Sequence, residues 1–277
     1  MYEEIRALQL VELDIMRKVL DICDRHDLKY FMLGGTLLGA IRHKGFIPWD
    51  DDMDIGMPRP DYEKFIRIAA EELKAPYQLH AIQNEKLKLD YYYYYARVEN
   101  TDVMLERQGT LKYNMIPAWV DIFPLDGAPS KPLEMRKWFT DIEKRSKWFL
   151  RAQASYYARS MERRDPKSIK AKIMRIVVSM KLDRLISTKR TWKKLDEVVR
   201  RYNYDECAYL ANCLGYWAER EYFHKMIYGE GKMYQFEDLQ LRGPEDYDFV
   251  LKQMYMDYMT PPPETDRDHH FIKIKKD

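Results

Sequence analysis

A chain of 277 residues, 46% hydrophobic and 33% charged, is long enough to bury one large core, or a core with a smaller appendage, as a soluble globular protein. Its 47 Lys and Arg against 45 Asp and Glu leave a formal net charge of +2, which excludes the whole-molecule basic field of a dedicated nucleic-acid binder. Cys23, Cys207 and Cys213 are odd in number and lack paired ligand spacing, so free thiols in a reducing compartment are expected rather than a disulfide framework or a structural zinc.

The first stretch, MYEEIRALQLVELDIMRKVL, is acidic and periodic where a secretory signal needs a basic start and an uninterrupted apolar run. No run of about eighteen apolar residues occurs, so a cytoplasmic protein that does not span a bilayer is expected, with contact at the inner face of the membrane left open. Apolar residues at helical spacing predict an amphipathic helix over about 3–26. LKYFMLGG then reads as a short buried strand entering a glycine turn, TLLGAIR as a brief helix, HKGFIPWDD as a loop and MDIGM as a strand. PDYEKFIRIAAEEL is a helix with proline near its first turn. YQLHAI, DYYYYYARV, TDVML and WVDIF are strand candidates, rich in aromatic and β-branched residues. From about residue 131 the pattern becomes mainly helical, with helices near 131–159, 167–181, 189–201 and 246–258. The basic excess between Arg163 and Arg201 is either a solvated helical face or a surface for anionic lipid or a polyanionic acceptor.

The segment WDDDMDIGM carries Asp50, Asp51, Asp52 and Asp54 just before an apolar strand. Asp52 and Asp54, two apart in a strand, share a face and converge, with Met53 and Ile55 facing a core. Carboxylates so close repel unless a cation lies between them, and Mg²⁺ takes carboxylates, water and phosphate oxygens as ligands. The bland alternative is a solvated acidic turn. Asp121, set among Trp119, Val120, Ile122 and Phe123, is a charge in an otherwise buried strand, and so is either a third metal-site carboxylate or a residue that caps a turn or pairs with one arginine. Asp126 in PLDG reads as a structural turn residue. Gly34 and Gly35 permit a tight turn and close approach of a ligand, Thr36 can cap the next helix, and the N–H groups at that helix start favour a phosphate. Arg42, Lys44 or both can neutralise a diphosphate leaving group.

LGGTLLGAIRHKGFIPWDDDMDIGMPRPDYEKF, with VDIFPLDG in mid-chain and YMDYMTPPPETDRDHH near the C-terminus, resembles the LicD family of bacterial phosphocholine transferases, related to the fukutin group within the nucleotidyltransferase superfamily. Met256 departs from the pattern, which has Gly there. The resemblance implies an α+β fold: a small mixed β-sheet flanked by helices forms a nucleotidyltransferase-like core over 1–130. A mainly helical region, 131–277, would choose the acceptor, its segment 255–271 returning to the active site. It implies Mg²⁺ (or Mn²⁺) on Asp52, Asp54 and Asp121 with Asp50 in support, and donor phosphates on Gly34, Gly35 and Thr36. Arg42, Lys44 and Trp49 would contact substrate, as would Arg267, His269 and His270 from the C-terminal segment.

The implied reaction moves phosphocholine from CDP-choline to a hydroxyl of a cell-surface glycan precursor, such as teichoic acid, lipopolysaccharide or capsule. The alternatives are a nucleotidyltransferase that releases pyrophosphate and a non-catalytic glycan- or lipid-binding protein. No nucleic-acid partner is expected. The run Tyr91–Tyr95 is either sheet packing or part of an aromatic cage for a quaternary ammonium, Tyr91, Tyr93 and Tyr95 facing one way and Tyr92 and Tyr94 the other.

Overall fold

The computed structural model describes residues 2–84, 92–107, 115–153, 185–267 and 272–274, with positions 169, 172, 173, 176 and 180. Helix α1 (Tyr2–Arg25) opens the chain, its buried stripe of Leu8, Glu12, Ile15, Val19 and Ile22 recurring every three or four residues. Strand β1 (Phe31–Met32) leads into helix α2 (Gly34–His43), then β2 (Asp54–Pro58) and helix α3 (Arg59–Glu72). Three strands follow, β3 (Tyr77–His80), β4 (Ala96–Arg107) and β5 (Met115–Ala128). After helices α4 (Pro132–Arg151) and α5 (Thr188–Val199) come β6 (Tyr209–Ala211) and β7 (Tyr222–His224). The chain continues through the short helix α6 (Lys225–Tyr228), the hairpin β8 (Lys232–Phe236) and β9 (Leu239–Gly243), helix α7 (Tyr247–Tyr255) and β10 (Ile272–Ile274).

Among the described residues eight strands make one mixed sheet in the order β1-β2-β5-β4-β10, with β3 also on β4 and β6 linking β5 to β7; β8 and β9 pair separately. The β2–β5 pair is parallel, and it sets Asp54 opposite Asp121. Helices α1 and α3 pack on β5, whose last eleven residues are all buried, as expected for a strand covered on both faces. At the start of α3 the buried Arg59 grips Asp126 of β5 with two hydrogen bonds, 2.6 and 2.7 Å. Asp126 therefore lies in a strand, not a turn. A second cluster, including Trp138, Phe149, Leu195 and Cys213, packs α4 and α5 against the far end of β5. The three cysteines are free.

The α+β class is as expected, but the sheet is larger than the small one anticipated and extends past residue 131 through β6, β7 and β10. These strands span only three residues each, too few for an alternating pattern to show. The helix expected over 167–181 falls largely outside the described residues. The expected strand DYYYYYARV begins only at Ala96, where pairing with β5 starts. Of the tyrosine run, Tyr91 lies outside the described residues. Tyr93 and Tyr95 stack at 5.8 Å, while Tyr92 and Tyr94 pack on the second cluster, so the two-residue alternation persists without a ladder.

Candidate active site

β2 begins at Asp54, so Asp52 lies in the loop before it and the pair is assembled by loop and strand together. The alternation still holds across the junction: Met53 and Ile55 are fully buried, and Asp52 and Asp54 line a cavity of about 220 Å³. Asp121 lines the same cavity from β5. The parallel register fixes this meeting, because the Asp121 N–H donates to the Met53 carbonyl at 2.9 Å. Burial, then Asp52, Asp121, Asp50 and Glu221 in turn, pushes the Asp54 carboxyl well above the usual carboxylate range.

Asp121 is also ion-paired. Arg97 Nε of β4 lies 2.6 Å from its Oδ1 and Nη2 donates to Oδ2 at 3.3 Å. Arg97 is itself buried, flanked by the Tyr93 ring at 3.5 Å and the Trp119 ring at 4.4 Å. Burial raises the Asp121 carboxyl and Arg97 opposes that rise. The two readings of Asp121, cavity carboxylate and arginine partner, thus describe one side chain at once.

The loop before Asp52 is held from beneath. Gln9 of α1 donates to the carbonyls of Ile47 and Asp50 at 3.2 and 2.9 Å. One turn on, Glu12 is wholly buried, and among the described residues neither of its carboxyl oxygens meets a hydrogen-bond partner. Burial, reinforced by Asp52, Asp51, Asp50 and Asp121, holds Glu12 well above the usual range. Oxygens of Asp50, Asp51 and Asp52 lie within 4.8 Å of one another. Asp52, Asp54 and Asp121 on one cavity, with Asp50 and Asp51 clustered beside Asp52, form a donor set of hard oxygens that suits a divalent ion of the Mg²⁺ class.

Helix α2 supplies the opposite polarity. Gly34 has φ +47° and a Cβ there would meet Asp54 Oδ2 and the Tyr255 hydroxyl; at Gly35 a Cβ would fall 2.4 Å from Asp50 Oδ2. Both glycines line the cavity. The N–H groups of a first helical turn have no helical acceptors, so this end of α2 presents donors and a positive dipole beside the acids. Thr36 does not cap α2, whose N-cap is Leu33. Its buried hydroxyl instead accepts from the Asp54 N–H at 2.8 Å and ties the helix to β2.

The remaining wall comes from the β6–β7 connection and α7. Asn212, Gly215, Trp217, Glu221 and Tyr255 line the cavity there. Glu221 is 5% exposed, and Asn212 Nδ2 donates to its Oε2 at 2.8 Å. Burial lifts the Glu221 carboxyl to about 7, against hydrogen bonds from Asn212 and the Trp217 backbone that favour its charge.

Other residues expected at the site lie around its margin. Arg42 donates to the Tyr258 carbonyl at 2.7 Å and is not in the cavity lining. Lys44 caps α2 in the left-handed region, φ +60°, and its carbonyl accepts from the Glu237 N–H at 2.7 Å. Trp49 is half-buried beside Asp50, with the Arg267 guanidinium 4.3 Å from its ring, so the chain after α7 returns to the acid loop. His269 and His270 lie outside the described residues.

The sequence pattern of the family described as LicD/FKTN/FKRP, nucleotidyltransferase domain, matches residues 27–148. Along 97% of its length the chain is 30% identical to lipopolysaccharide cholinephosphotransferase LicD of Haemophilus influenzae, covering 96% of that protein. The chain belongs to the LicD family. Shorter matches run to human ribitol 5-phosphate transferase FKRP, 40% identical over 19% of this chain and 10% of that protein. An uncharacterised protein of Rickettsia typhi is 38% identical over 27% of the chain and 24% of its own length. The LicD family span holds Gly34, the acid loop, Arg97 and Asp121, and it ends before the wall that carries Glu221.

Sequence reasoning missed Glu12, Arg97, Asn212 and Glu221. Glu12 had a signal, a carboxylate in step with Leu8, Ile15 and Val19 on the apolar stripe of the first helix. Arg97 had a weaker one, a cation inside an aromatic strand. Asn212 and Glu221 had none, because NCLGYWAERE shows no periodicity that would mark either as buried.

Proposed function

We propose that this LicD-family transferase moves phosphocholine from CDP-choline to a hydroxyl of a cell-surface glycan precursor, in a divalent-metal-dependent reaction. The observation that carries the reading is the meeting of Asp52, Asp54 and Asp121 with the glycine-led start of α2 on one cavity. Asp52, Asp54 and Asp121 would hold Mg²⁺, with Asp50 in support. The ion would supply charge neutralisation at the donor's phosphates.

The N–H groups at Gly34 and Gly35 point donors at phosphate oxygens and favour the charge that accumulates on the departing cytidine monophosphate. Thr36 keeps that helix end in register with Asp54 through its hydroxyl. Arg97 fixes the orientation of Asp121, so the carboxylate meets the incoming hydroxyl in one geometry. Transfer of this kind is mostly positioning and electrostatic stabilisation. The Haemophilus influenzae relative is a lipopolysaccharide cholinephosphotransferase, which supports phosphocholine and a lipopolysaccharide-type acceptor; teichoic acid and capsule precursors are the alternatives of the same class.

Among the described residues no helix is long and apolar enough to cross a membrane. We infer peripheral contact at the cytoplasmic face. Ile169, Ile173, Ile176 and Met180 are spaced by four, three and four residues and are all more than half exposed. Trp148 and Leu185 are exposed too, with Arg145, Lys147, Lys193 and Lys194 exposed on α4 and α5. Exposed apolar side chains on the one hand and exposed basic ones on α4 and α5 on the other are the two features by which a protein meets an anionic bilayer, on which a lipid-linked acceptor would lie.

The test is incubation of the purified chain with CDP-choline, CDP-ethanolamine and CDP-glycerol in the presence of Mg²⁺. Release of cytidine monophosphate, abolished by chelation, is expected. Pyrophosphate release from a nucleoside triphosphate would favour nucleotidyl transfer instead, and ligand binding without turnover in Mg²⁺ or Mn²⁺ would favour the non-catalytic reading.

A further inference from the structure

The cavity has an aromatic end that the phosphate chemistry does not use. Trp217 stands nearly perpendicular to two neighbours, Tyr216 with centroids 5.3 Å apart at 90° and Tyr255 at 5.8 Å and 83°. Tyr95, the last of the tyrosine run, lies against Phe123 with centroids 4.1 Å apart. All five rings line the same cavity as the aspartates. Tyr216 is 91% exposed, so its ring is open to a ligand from solvent.

Glu221 lines this cavity as well. Asn212, itself 3% exposed, orients one oxygen of Glu221. The lack of a side chain at Gly215 leaves room for the other, since a Cβ there would lie 2.4 Å from Oε1. Among the described residues the buried Glu221 carboxyl takes its side-chain hydrogen bond from the neutral Asn212 amide and pairs with no basic side chain, so it can receive a cation that enters the cavity.

The character of that cation follows from the walls. A primary ammonium or guanidinium carries several N–H donors and seeks as many acceptors; the Arg220 guanidinium already lies 5.1 Å from the Trp217 ring centroid, and the rings of Phe123, Tyr216 and Tyr255 add further π faces at this end. A quaternary ammonium has no donors, spreads its charge over methyl groups and binds such faces through cation–π attraction. We propose that Tyr95, Phe123, Tyr216, Trp217 and Tyr255, with the carboxylate of Glu221, form a cage for a trimethylammonium group, the headgroup end of the donor. This rests on the reading of the cavity as the donor site, and it adds the means by which choline is told from an unmethylated amine.

Saturation-transfer NMR on the full chain, with choline, ethanolamine and cytidine monophosphate each titrated separately, tests it. Choline is expected to bind saturably and roughly tenfold more tightly than ethanolamine. Trp217→Leu and Glu221→Gln should each weaken choline by about that factor and leave cytidine monophosphate within about twofold, while Trp217→Phe, which keeps a π face, should retain most of the affinity. Retained nucleotide binding serves as the control for folding. Equal affinity for choline and ethanolamine, or choline binding unchanged in both Trp217→Leu and Glu221→Gln, overturns the cage. Choline binding with these sensitivities but no turnover of CDP-choline would leave the cage standing and remove the transfer reading. Equal turnover of CDP-choline and CDP-ethanolamine would do the reverse.

Discussion

Asp54 and Asp121 stand on neighbouring parallel strands whose register admits one arrangement, whereas Glu221 and Trp217 stand on a 3-10 turn and its flanking loop between two strands of three residues. The first wall is locked by a sheet ladder, by Gln9 beneath the acid loop and by the Thr36 hydroxyl. The second has a backbone tie from the Asn212 N–H to the Glu221 carbonyl at 3.1 Å and otherwise rests on side chains: the Asn212–Glu221 hydrogen bond, the Trp217–Tyr255 contact and Gln253 donating to the Arg220 and Tyr222 carbonyls. The contrast has a physical sense. Repelling carboxylates stay together only where the backbone cannot relax them apart, while a recognition wall can vary in sequence without disturbing the sheet.

If the strand wall is the reacting one, the largest effect belongs to Asp54→Asn. Its kcat/KM for transfer should fall by about 10³ or more, with a melting temperature at or above that of the parent, because a charge crowded by Asp52 and Asp121 is removed. Wild-type turnover would exclude Asp54 from the chemistry. Asp121→Asn separates the two roles of that residue: activity should fall comparably, and stability should also drop by about 3–5 kcal/mol, because Arg97 is left buried without its counter-charge. Urea unfolding checks this, and an unchanged midpoint would mean that Arg97 finds another partner.

The loop wall answers to pH. Burial pushes the Glu221 carboxyl up to about 7 in the folded chain, against about 4.3 for an unfolded glutamate. Its stabilising contribution is therefore complete below the unfolded value and is lost as pH rises through about 7. Between pH 5 and pH 8 the metal-free protein should lose up to about 3 kcal/mol through this group, and Glu221→Gln should flatten the profile by that amount. Identical pH profiles for the two proteins would show that Glu221 is not held in a low-dielectric setting. The smallest effect belongs to neither wall: reversing charge at Lys193 and Lys194 should weaken binding to anionic vesicles a few-fold at low salt and hardly at all at high salt, where screening removes the attraction. Vesicle sedimentation at two ionic strengths measures it.

The same contrast governs how much could be read from the chain. The glycine turn, the aspartate run and a charge inside WVDIF are local signals, and the helix start, the acid loop and β5 that they mark do converge on one cavity. Alternation placed Tyr93 and Tyr95 apart from Tyr92 and Tyr94 without needing a strand. What stayed hidden is non-local. Thr36 looks like a cap, yet its hydroxyl is spent on a strand 18 residues away. Glu221 becomes buried only because β6 and β7 bring its loop over β2 and β5, and strands so short leave no periodic mark. The basic surface of α4 and α5 is legible as charge alone, since charge pattern does not say what it faces.

The most direct test follows CDP-choline by phosphorus NMR with wild type and Asp54→Asn, with Mg²⁺ and after chelation. Cytidine monophosphate and phosphocholine or its glycan ester should form only in wild type with metal present. Equal product with and without the divalent ion, or from both proteins, would contradict a reaction carried by the carboxylates of β2 and β5.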